Sequence, residues 1–121
     1  MTKWKYSAAF AMLIASSAAM AMDAQSFLTR AQALHKKGAM AMFSSDLKPL
    51  MNEMKAAGTA VKAENDAATK RGAPIYCAPA KRKGMSPEEV IGEFARIPEA
   101  ERKTMSVREA WKTILIGKYP C

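Results

Sequence analysis

Residues 106–121 read SVREAWKTILIGKYPC. Ser106 followed by Glu109 is the capping-box pattern that opens a helix. The serine hydroxyl takes an orphan N–H, and the glutamate reaches back to the cap. Val107, Ala110, Trp111, Ile114 and Leu115 then recur at helical spacing and form one apolar face. Gly117 is the expected stop. The chain finishes on Cys121, and a terminal thiol asks for a partner.

Reading upstream, residues 86–98, SPEEVIGEFARIP, repeat the pattern. Ser86 caps, Pro87 takes the first helical position and Glu89 closes the box. Val90, Ile91 and Phe94 are expected to face inward, and Pro98 to begin a short helical turn. Before them lies APIYCAPAKRKGM, residues 73–85, a loop with two prolines, a glycine and a basic run. It holds Cys77, the other cysteine of the chain. Residues 44–72 read as one long helix of about 24 residues, roughly 36 Å. Ser44, Ser45 or Asp46 supplies its N-cap, Pro49 sits in its first turn and Gly72 stops it. Leu47, Leu50, Met51, Met54, Val61 and Ala68 form its apolar stripe. An earlier helix follows Asp23, with Phe27, Ala31, Leu34 and then Ala41 or Met42 inward, and with Gly38 as a break or a point of close packing. Residues 22–121 therefore predict a single all-α domain, a small bundle of about four helices.

The N-terminus decides what the cysteines do. Lys3 and Lys5 precede the short apolar run Ala8–Ile14, small residues follow, and Ala19-Met20-Ala21 is an A-x-A cleavage pattern. Residues 1–21 are therefore expected to be a cleaved secretory signal, which places the domain in the periplasm. In an oxidising compartment, two cysteines allow one intramolecular pairing, Cys77–Cys121. Intermolecular pairing or a free thiol is the alternative. No later segment is long and apolar enough to enter a membrane. The precursor carries a formal charge of +8. Without Lys3 and Lys5, seventeen basic residues face eleven acidic ones, a charge of about +6 that favours an acidic partner or an anionic surface without specifying nucleic acid.

Catalytic patterns are weak. His35, the single histidine, has no nucleophile near it in sequence. The two cysteines and one histidine do not make a zinc set, so no metal or other cofactor is expected. Met40, Met42, Met51 and Met54 with His35 offer thioether chemistry toward copper, but core packing is the stronger reading. Glu88 and Glu89 suit a helix N-terminus rather than acid–base work. The expectation is a non-enzyme that acts through its surface. Lys81, Arg82 and Lys83, with Met85 and with Tyr76 beside Cys77, are the candidate partner-binding residues, on a loop that a disulfide would hold. The exposed face of helix 44–70 is a second candidate.

The elements YCAP, SPEEVIGEFARIP and AWKTILIGKYPC, between Pro74 and Cys121, resemble the Rap/Tai family of immunity proteins associated with type VI secretion amidase effectors. The resemblance implies an all-helical periplasmic protein, often a homodimer, that binds a peptidoglycan amidase and covers its active site. Residues 23–71 share only their helical character with the family, and no inhibitory residue carries over. The alternative reading is an envelope structural protein or acid-stress holdase, binding anionic cell-wall polymers or unfolded clients.

Overall fold

The computed structural model describes residues 22–121 and is all-helical, with one disulfide. The predicted signal, residues 1–21, lies outside the described residues. The elements are α1 (Ala24–Lys36), a 3-10 segment (Gly38–Phe43), α2 (Leu47–Lys70), α3 (Pro87–Arg96), the single turn α4 (Glu99–Arg102) and α5 (Val107–Lys118). The bundle thus has the four expected helices plus two short turns.

Both capping boxes form. Ser86 Oγ accepts from the Glu89 N–H at 3.1 Å while Glu89 Oε1 accepts from the Ser86 N–H at 3.0 Å. Ser106 and Glu109 do the same at 3.1 and 2.9 Å. Asp23 caps α1 by accepting from the Ser26 N–H at 3.0 Å and the Ser26 hydroxyl at 2.6 Å. At α2 the cap residue is Asp46, but its side chain makes no cap bond; Ser44 Oγ accepts the Asp46 N–H instead. α5 runs one residue past Gly117 to Lys118, because the Tyr119 N–H still reaches the Leu115 carbonyl at 2.8 Å.

The core lies where α1, α2, α3 and α5 meet. It comprises Phe27, Leu28, Leu50, Ala57, Val61, Phe94, Val107, Trp111, Ile114 and Leu115, among others. All five residues expected inward on α5 are buried. Phe27 and Phe94 hold α1 against α3 with ring centroids 4.9 Å apart. α2 packs on α5, and Ala57 and Ala68 of α2 are buried. The N-cap residues of α1 and α5 lie side by side in an isolated antiparallel bridge, Asp23 with Ser106. There the Ala24 N–H donates to the Met105 carbonyl at 2.8 Å and the Val107 N–H to the Met22 carbonyl at 3.2 Å. Arg102 fastens α4 by donating to the carbonyls of Ala95 and Ile97 and to Gln25 Oε1.

Gly38 does break the first helix, one of its two expected roles. The stripe expected to continue to Ala41 or Met42 therefore does not run on in α-helical form; Ala41 is half-buried and Met42 is exposed. Gly38 adopts φ +56°, a left-handed conformation natural for glycine, and the chain continues as a 3-10 turn. In that tighter geometry side chains at i and i+3 eclipse, so the α-helical stripe cannot continue. Met42 is 74% exposed and Phe43 82%. Nor does Met51 belong to the core stripe of α2. It is 61% exposed, because the 3-10 segment leaves that side of the first turns open; Met54 does pack on the core.

Candidate functional site

The two cysteines pair with each other. Cys77 and Cys121 form the disulfide, closing a sequence separation of 44. Backbone supports it, since the Cys77 N–H donates to the Tyr119 carbonyl at 2.8 Å. On the other side Asn65, from α2, clamps the same stretch of loop. Its Oδ1 accepts from the Ile75 N–H at 2.7 Å and the Tyr76 N–H at 3.2 Å, and its Nδ2 donates to the Tyr76 carbonyl at 3.1 Å. One amide side chain thus does what a neighbouring strand would do, satisfying loop backbone that has no ladder.

The expected partner-binding residues separate. Tyr76 is buried at 5% exposure, so it is an anchor of the loop in the core and not a contact residue. The Asn65 clamp holds the Ile75–Tyr76 backbone against α2, which accounts for the difference, while Cys77 itself stays exposed. Lys81, Arg82 and Lys83 are exposed. Arg82 sits over the Tyr119 ring, 5.4 Å from its centroid, with Lys118 at 5.9 Å from the same ring. That cation–π contact adds a third tether between loop and C-terminus. Met85 is half-buried and packs against the core.

Two concavities share α2 as a wall. The first is a cleft of mixed character, about 800 Å³, bounded by Lys62, Asn65, Asp66 and Thr69 of α2 and by Pro79, Arg82 and Lys83 of the loop, with Asp66 paired to Lys62. The second is an apolar groove of about 670 Å³ lined by Phe27, Leu34, Leu47, Met51, Met85 and Ile91. The loop joins them, with Lys83 in one and Met85 in the other. Met40, Met42 and Phe43 stand exposed on the 3-10 segment, which contributes Gly38 and Ala41 to the groove. Together with Met51 they place four large apolar side chains, each at least 61% exposed, within one short stretch of chain, residues 40–51.

Electrostatics elsewhere serve the fold. Glu64 lies between Arg108, at 2.7 Å, and Lys112, joining α2 to α5. The hydrogen bond from Lys112, then that from Arg108, holds its carboxyl below the ordinary range. Asp23 is lowered by the Ser26 hydroxyl and N–H, and Glu89 by the Ser86 N–H and hydroxyl. His35 is exposed at the end of α1. Among the described residues no group of three or more His, Cys, Asp or Glu is placed to hold a metal, and no helix is long and apolar enough to cross a membrane.

No family model, curated protein or solved structure matches the chain.

Reading the sequence alone misses Asn65 and Phe43. Asn65 could have been found: it stands four residues after Val61 and three before Ala68, a polar amide on an otherwise apolar stripe. Phe43 offered no such signal, because its exposure follows from the turn that Gly38 imposes.

Proposed function

We propose that this chain is an exported immunity protein that binds a peptidoglycan amidase in the periplasm and blocks its cleft by occupying it. The observation that carries the reading is the surface along α2, in which the tethered loop Lys81–Met85 joins a cleft edged by Arg82 and Lys83 to an apolar groove. Steric inhibition needs an interface that is ordered before contact, so that little entropy is lost on binding. The disulfide, the Asn65 clamp and the Arg82–Tyr119 contact supply that order. The surface's composition also suits a protein partner: Met51 in the groove, with exposed Met42 and Phe43 on the adjoining 3-10 segment, offers apolar contact, and Lys81, Arg82 and Lys83 offer charge. The C-terminal likeness to the Rap/Tai pattern supplies the identity of the partner.

The test is capture from an envelope extract with the oxidised protein as bait. An amidase retained by wild type and lost by Phe43→Ser supports the reading. Retention of cell-wall polymer alone, unaffected by Phe43→Ser, would replace it with the envelope-coating alternative.

A further inference from the structure

A polar contact ties Met22 to α2. The backbone nitrogen of Met22 lies 3.4 Å from Glu53 Oε1, donating its N–H across 31 residues of sequence. Met22 is half-buried and packs on the core, and its carbonyl accepts from the Val107 N–H at 3.2 Å. Met22 is therefore held at both its nitrogen and its carbonyl. Glu53 is half-buried on α2 and has no cationic partner within ion-pair distance among the described residues. Three charged residues at the starts of α1 and α5 are engaged elsewhere: Asp23 with Ser26, Arg108 with Glu64, and Glu109 with the Ser106 N–H.

We propose that Glu53 is the receptor for the α-ammonium group created when the signal is removed, so that processing completes the fold by forming an ion pair at its first residue. This rests on the reading of the chain as exported and cut after Ala21. Hydrolysis of the Ala21–Met22 peptide bond adds one water: hydroxide goes to the Ala21 carbonyl, which leaves as a carboxylate, and the Met22 nitrogen leaves as an amine that takes up a proton. A neutral amide with one N–H becomes an ammonium with three, at a position already within reach of a carboxylate. Charge-assisted bonds of this kind are about twice as strong as neutral ones. The mature chain then holds the starts of α1 and α5 to α2 more firmly than the precursor does.

The experiment uses the full-length chain, expressed in a bacterial host and recovered from the periplasm. Mass spectrometry reads the first residue, and acetic-anhydride labelling across pH reads the titration midpoint of the terminal amine. A chain that begins at Met22, with a midpoint about half a unit to one unit above the ordinary value near 8 and returned to it by Glu53→Gln, is the expected result. A chain beginning at Met22 with the same midpoint in wild type and Glu53→Gln overturns the ion pair and leaves export standing. Periplasmic protein that begins at another residue also overturns it. Protein found only in the cytosol, still beginning at Met1, removes the export reading as well.

Discussion

Replacing both cysteines, Cys77→Ser with Cys121→Ser, removes the staple without changing the apolar core. The separation of 44 residues sets the scale of the effect. In the chain-entropy treatment a loop of that length restricts the unfolded chain by about 4 kcal/mol at 25 °C. The Asn65 bonds and the buried Tyr76 side chain remain, so the folded loop keeps most of its place and the loss falls chiefly on the unfolded state. For a domain of this size, with a total stability of ~5–10 kcal/mol, the double variant stays folded at 25 °C but only just. Urea titration followed by circular dichroism checks this. The expected loss is about 3–4 kcal/mol, or a fall in melting temperature of roughly 12–30 °C. Reducing agent should reproduce the loss in wild type and do nothing to the variant. A loss below about 1 kcal/mol would show that the linkage is not what restricts the unfolded chain.

Asn65→Ala leaves the Ile75 and Tyr76 N–H groups and the Tyr76 carbonyl without their partner, and is expected to cost about 2–3 kcal/mol in the same urea assay, with Asn65→Asp costing less than Asn65→Ala. Asp23, Glu64 and Glu89 have folded pKa values lowered below their unfolded ones. The stability they contribute is full above the ordinary carboxylate range and is lost as pH falls through the lowered folded values. Wild type should therefore lose stability steadily below about pH 4 to 5, and Glu64→Gln should show a shallower loss than wild type in melts across pH; parallel curves would count against the Glu64 bridge. Lys81→Ala with Lys83→Ala should leave melting unchanged within about 0.5 kcal/mol, since both side chains are exposed, but should slow association with an acidic partner most at low salt. An association rate untouched by the double substitution would exclude the loop from the interface.

The helices were legible because their signals are local. Ser106 with Glu109, and Ser86 with Pro87 and Glu89, each specify a start within four residues, and the apolar spacing behind them specifies a face. The cysteine pairing was legible by elimination once the compartment was inferred. What could not be read depends on tertiary neighbours. Met51 fits a helical stripe as well as Met54 does, and only the course of the chain after Gly38 leaves one outside and the other in. Tyr76 looks like a surface aromatic beside a basic loop, yet the Asn65 clamp draws it into the core. Of the candidate site, the basic run Lys81–Lys83 lies at the surface as read, whereas the apolar part around Phe43 emerges only when the 3-10 turn is in place.

Whether this surface closes an amidase is decided by digestion of purified peptidoglycan. The enzyme is the amidase captured on the oxidised protein, titrated with wild type and with Phe43→Ser. Hydrolysis should fall to background at one equivalent of wild type and persist with the variant. Hydrolysis that continues undiminished at excess wild-type protein would contradict the proposed inhibition.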